Sequence, residues 1–263
     1  MRETIKESEI EKGVMEGFKV GLNCYTPVTS YIKNLDHSLR VILKVYDKPD
    51  LHPIIFGVTQ EMVRFSTMSN KRYIYYKKNN FQLDSEETFI KYEPDFLKSV
   101  TNHDDFNYRE DLIQNKMYVS TVIDHNDIGI NIKVYNMAEH QLDQEFYIRN
   151  YLKLAMNYTN VMEYFNDHPE DPQGRNLGLA LSIIILKESG LRPDLMRMGK
   201  PGSRSYSRIE IPFNVDTYKS IRDRILNDES IVPFEKPNLI PAEYKEQFEA
   251  RKRLLEGELT LHE

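Results

Sequence analysis

Along the first third of the chain, apolar positions recur three and four residues apart. Ile5, Ile10, Val14, Met15 and Phe18 predict an amphipathic leading helix over residues 1 to about 20. Val28, Tyr31, Ile32, Leu35, Leu39, Ile42, Leu43 and Tyr46 predict a second over 25–46, ended by Asp47-Lys48-Pro49-Asp50. A third begins at Pro53 and runs through Ile54, Ile55, Val58, Met62, Val63 and Phe65, breaking near Ser69-Asn70. Lys71-Arg72-Tyr73-Ile74-Tyr75-Tyr76 then reads as a short strand. Residues 77 to about 115 are polar with scattered aromatics and no clean period, so they read as an insertion holding one helix near 84–99.

The period then changes to two. Ile130, Ile132 and Val134 alternate with polar neighbours, and Met117 to Asp124 precede them across His125-Asn126-Asp127-Ile128-Gly129; this predicts a β-hairpin. Residues 143–165 carry apolar positions suited to a helical lid. A second hairpin follows Gly199-Lys200-Pro201-Gly202, with Ile209, Ile211 and Phe213 set against Arg208 and Glu210. Residues 214–227 suggest a helix, and Pro241 suits the first position of a last charged helix ending near Gly257. Between lid and second hairpin lies Gly174-Arg175-Asn176-Leu177-Gly178-Leu179, opening a run of apolar residues to Leu186 that Lys187, Glu188 and Gly190 close. By propensity Ile183-Ile184-Ile185 suits a buried strand as well as a helix; the length to Gly190 favours helix. Two glycines at such an entry let backbone N–H groups approach an anion, although alone they serve equally as a tight turn before a core segment.

At 263 residues the chain can bury a substantial core, and a net charge of -6 argues against general binding to nucleic acid. One cysteine, Cys24, allows neither an intramolecular disulfide nor a cysteine-based zinc site, which fits a reducing, cytoplasmic location. No apolar run reaches the 18 residues of a membrane span. The local exception to the acidic balance lies between residues 191 and 208. There Arg192, Arg197, Lys200, Arg204 and Arg208 stand against Asp194, an arrangement open to a phosphate, a solvated face or a docking patch. The acids of the insertion lack the ordered spacing of a calcium loop, and no metal-ligand set is identified. Asp36-His37-Ser38-Leu39-Arg40 looks slightly like a phosphoacceptor box, but a lone histidine beside an acid on a helix is ordinarily a surface residue.

Three short runs carry the remaining chemistry in a fixed order: Glu61-Met62-Val63-Arg64-Phe65 on the third helix, Asn136-Met137-Ala138-Glu139-His140 after the first hairpin, and Gly174 to Leu179. This order resembles the ATP-binding domain shared by histidine kinases, Hsp90, gyrase and MutL, the GHKL superfamily, over roughly residues 35–213. The resemblance implies an α+β fold: a two-layer sandwich of a mixed, mostly antiparallel sheet with helices on one face, of Bergerat type. Residues 1–34 and 214–263 would then be terminal helical extensions, offering surfaces for a homodimer. It also implies roles: Glu61 as the catalytic acid that orients or activates the attacking group, Asn136 at the adenine, and Gly174, Arg175, Asn176, Leu177, Gly178 and Leu179 around the phosphates.

The same comparison shows losses. Phe65 stands where the family's asparagine holds magnesium, and phenylalanine offers no oxygen to that cation; Asn70 is the nearest alternative. Asn136 replaces an aspartate and keeps only a neutral acceptor. Ala138 and His140 stand where glycines are expected, and Asn176 replaces the middle glycine of the third motif. The expectation is therefore a regulatory protein of this fold that acts through a protein partner, with ATP binding weak or absent and magnesium without its ligand. An active ATP-dependent kinase or ATPase of the same fold, and an unrelated α+β binding module, are the alternatives.

Overall fold

Alternating burial along five strands builds one sheet, and the computed structural model describes it within residues 6–81, 86–102, 105–138, 152–167, 178–199, 205–214, 216 and 218–221. The strands are β1 (Val20–Cys24), β2 (Val119–His125), β3 (Gly129–Asn136), β4 (Met196–Gly199) and β5 (Ser205–Pro212), in spatial order β1-β2-β3-β5-β4. Every pairing among them is antiparallel, so the parallel member implied by a mixed sheet is absent from the described strands. Both predicted hairpins form. The first turns where Asn126 Oδ1 accepts from the Ile128 and Gly129 N–H groups, replacing the backbone partners that the turn cannot supply.

The helices are α1 (Glu7–Met15), α2 (Thr29–Val45), α3 (His52–Lys78), α4 (Glu86–Asn102), α5 (Asp105–Gln114), α6 (Val161–Asp167) and α7 (Gly178–Glu188). One core cluster unites Ile10 and Val14 of α1, Leu35, Leu39, Ile42 and Leu43 of α2, Ile55, Met62 and Val63 of α3, and Leu179 and Ile183 of α7 with one sheet face. That face presents Leu22, Thr121, Val134 and Ser207 side by side, and in the adjoining row Val20, Ile123, Ile132, Ile209 and Met196. The result is an α+β sandwich with its core between the sheet and these helices. Polar groups within it are hydrogen-bonded across elements. Thr121 shares a 2.7 Å hydrogen bond with the Tyr31 hydroxyl, and His125 bridges Tyr46 Oη at 2.9 Å and the Phe18 carbonyl at 2.8 Å. A carbonyl only accepts, so Nε2 of His125 carries the proton and Nδ1 accepts from Tyr46.

Three expectations change. The leading helix covers Glu7–Met15, and Val20–Cys24 form an edge strand that the helical spacing concealed. The third helix does not break at Ser69-Asn70; it continues through Lys71 to Tyr76, so the expected strand there is helical. Tertiary contacts override the local preference for strand: Ile74 is buried with Tyr108 and Leu112 of α5, and Tyr75 packs against Phe96 of α4 with ring centroids 5.7 Å apart. The insertion holds two helices instead of one, α4 and α5, and Arg72 grips Glu93 of α4 with bonds of 2.8 and 2.6 Å. The helix expected over 214–227 and the last charged helix lie outside the described residues for most or all of their length.

Candidate functional site

Helix α3 sets the first candidate residues. Glu61 is 22% exposed, and its Oε2 accepts from Arg64 Nε at 3.0 Å and Nη2 at 2.9 Å, one turn further along. Arg64 in turn lies beside the start of α7: a Cβ placed on Gly178 would come within 3.9 Å of its Nη2. Gly178 holds φ +31, in the region that side chains disfavour, which explains a glycine at this entry. The structure thus brings Glu61, Arg64 and Gly178 together. Gly174, Arg175, Asn176 and Leu177 lie outside the described residues.

Leu179 is buried in the main core and anchors the first turn of α7, so its role here is packing. At the other end Gly190, at φ +70, closes the helix while the Leu191 N–H returns to the Leu186 carbonyl at 2.9 Å, a glycine C-cap. Helix is therefore the outcome for the ambiguous isoleucine run. Lys187 near that end donates to the Met156 and Tyr158 carbonyls at 2.8 and 3.0 Å, tying the described part of the lid region to α7.

Asn70 was predicted only as a substitute metal ligand, and its geometry shows a different use. The side chain is fully buried. Its Nδ2 donates to the Tyr118 carbonyl at 3.2 Å, while Oδ1 accepts from the Met137 and Ala138 N–H groups at 3.1 and 2.9 Å. Nine residues along an unbroken helix is two and a half turns, so Asn70 faces roughly away from Glu61. Asn136, also buried, ends β3 opposite Ser205. Its Nδ2 donates to the Ala138 carbonyl at 3.2 Å, and Ser205 Oγ donates to the same oxygen at 3.3 Å. Two asparagines from different elements therefore clasp the turn after β3. The sequence reading, which ends the helix near Ser69-Asn70, holds no signal of this clasp.

Phe65 is half-buried against the main core. Among the described residues no group of three or more His, Cys, Asp or Glu side chains is placed to hold a metal ion. The basic stretch is partly neutralised within itself. Arg192 pairs with Asp194 at 2.7 Å, and that hydrogen bond holds the Asp194 carboxyl below its ordinary range. Arg208 pairs with Glu210 at 2.8 Å. Lys200 and Arg204 lie outside the described residues.

The acid and histidine on α2 serve packing. Asp36 binds Arg40 at 2.8 Å and approaches His52 Nε2 at 3.1 Å; the Arg40 hydrogen bond keeps its carboxyl below the usual range. Burial against Phe56 lowers the basicity of His52 more than the nearby Asp36 restores it. His37 reaches Glu11 of α1 at 3.6 Å. These contacts fasten α1 and the start of α3 to α2.

No helix among the described residues is long and apolar enough to cross a membrane. No family model and no solved structure matches the chain. A protein of Treponema pallidum (strain Nichols), described only as uncharacterized, is 20% identical over 232 residues. The match covers 84% of this chain and 44% of that protein, so the chain spans less than half of its relative's length.

Proposed function

We propose that the chain is a GHKL-like signalling or regulatory protein with a degenerate Mg-ATP site, acting mainly by binding a protein partner. The finer fold, a Bergerat-type sandwich, belongs to the same reading. Its support is the order in which α3, the β2-β3 hairpin, α7 and the β4-β5 hairpin surround one core. The observation that carries the loss of nucleotide chemistry is the asparagine clasp. Asn70 is the neutral polar side chain available near the family's metal position, and both ends of its amide are committed, Nδ2 to the Tyr118 carbonyl and Oδ1 to the Met137 and Ala138 N–H groups, while Asn136 Nδ2 is bonded to the same turn. Releasing a buried amide to meet a ligand leaves backbone groups unpaired, at about 1–3 kcal/mol for each.

A fluorescent ATP analogue with magnesium tests this reading. Wild type is expected to show no micromolar binding, and such binding would overturn it. A repaired variant carrying Phe65→Asn, Ala138→Gly and His140→Gly is expected to gain affinity. One observation favours the runner-up, an active kinase or ATPase of the same fold: Glu61 and Arg64 lie at the glycine start of α7, where a helix N-terminus favours an anion. That reading requires measurable ATP turnover or phosphotransfer that Glu61→Ala abolishes.

A further inference from the structure

The two edges of the sheet are built differently. An edge strand offers a row of unpaired N–H and C=O groups to any other strand, and folded chains blunt it with short strands, charges, prolines or bulges. β4 uses two of these devices: it is four residues long, Met196–Gly199, and it carries Arg197. β1 uses none of them. Val20-Gly21-Leu22-Asn23-Cys24 holds no charged residue and no proline. It runs in unbroken register from Val20 opposite Ile123 to Cys24 opposite Val119, so no bulge turns it aside.

Among the described strands β1 pairs with β2 alone. Gly21 is exposed, and a Cβ placed on it would meet nothing within 4 Å. Its backbone is not left-handed, so neither a turn nor a crowded neighbour calls for glycine there. The head of this edge also carries apolar surface. Met15, at 72%, is the most exposed of the large apolar side chains among the described residues. The Phe18 N–H donates to the Gly13 carbonyl at 2.8 Å, which folds the end of α1 against the approach to β1.

The sequence of β1 decides what fits it. A second strand of the same sequence, antiparallel and centred on Leu22, brings Val20 opposite Cys24, Gly21 opposite Asn23 and Leu22 opposite itself. Val20, Leu22 and Cys24 belong to the buried core face, so the added strand continues an apolar row. On the other face glycine meets asparagine and no charge is involved. One step further out Lys19 meets Tyr25, a cation beside a ring instead of a like charge. The strand is thus complementary to itself, which is the condition for a twofold contact. In a chain of net charge -6, it is also an uncharged place where two copies can meet.

We propose that β1 is a self-association edge. Two copies join β1 to β1, antiparallel and centred on Leu22, and double the five-stranded sheet. Antiparallel pairing sets the head of each β1 beside the tail of the other, so Met15 of each copy is covered at one end of the seam. Five strand residues span about 17 Å, an interface of the small, transient class, and the association is therefore concentration-dependent. It does not depend on the nucleotide site.

Sedimentation velocity of the full chain between roughly 1 and 200 µM is expected to pass from one chain to two. A one-chain boundary at the highest concentration would overturn the proposal. Gly21→Asp with Asn23→Asp sets like charges opposite each other across the seam and is expected to keep the chain monomeric, as is Gly21→Lys with Asn23→Lys. An equimolar mixture of the two variants is expected to restore the two-chain species. Both positions lie on the outer face, so an unchanged melting temperature separates loss of pairing from loss of fold. Register is read by single cysteines: Gly21→Cys mixed with Asn23→Cys is expected to cross-link about fivefold more than either alone, because only the mixed pair stands directly opposite. Dimers that persist with aspartate at both positions, a mixture that restores nothing, or equal cross-linking in all three samples would each overturn the proposal.

Discussion

The two faces of the sheet use the same strands and the same alternation, yet they are filled by opposite means. The inner face buries Ile123, Ile132 and Ile209 in one lateral row and meets helices. The outer face places Asp124, Asn131 and Glu210 in the next row, and these are buried too. Alternation normally separates a core face from a wet one. Here one row of the outer face is closed as well, by hydrogen bonds from Tyr218 and Ile221 and by ion pairs of Glu210 with Arg208 and of Asp124 with Lys133.

The contrast is sharpest where a side chain is removed. Ile132→Ala is expected to destabilise the fold most, by about 3–4 kcal/mol, through lost burial and a cavity among isoleucines, as measured by urea unfolding. A cost below about 1 kcal/mol would mean that the inner face is loosely packed. Glu210→Ala should follow at about 2–3 kcal/mol, because Arg208, the Tyr218 hydroxyl and the Ile221 N–H all lose one acceptor. Hydrogen exchange at Ile221 should rise with it; no change in either quantity would remove the case for a built outer face. Arg197→Ala should shift stability by no more than about 0.5 kcal/mol, being half-exposed and, among the described residues, hydrogen-bonded only to a neighbouring carbonyl. A loss near 2 kcal/mol would put Arg197 among the structural cations.

These faces also show what could be read from residues alone. The β2-β3 hairpin is legible because Ile130, Ile132 and Val134 alternate beside a turn rich in Asn, Asp and Gly, all within 20 residues. β1 is not, since Val20, Leu22 and Cys24 are only three apolar positions and their partners on β2 lie about a hundred residues away. The stretch Tyr73 to Tyr76 misleads in the other direction: its aromatic and β-branched content suits a strand, and only α4 and α5, invisible to local periodicity, make it a buried helical surface. The candidate site was legible in part. Glu61 and Gly178 are brought near each other through Arg64. Asn70 was misjudged because its three hydrogen bonds reach backbone groups 48 to 68 residues further along the chain.

Helix α3 has a mechanical consequence. Its 27 residues form one continuous helix about 40 Å long. The core grips one end, the asparagine clasp fixes a point beyond the middle, and α4 and α5 load the other end. Glu61 therefore lies in the core-held half of the helix, and the clasp stands between it and the half that carries the insertion.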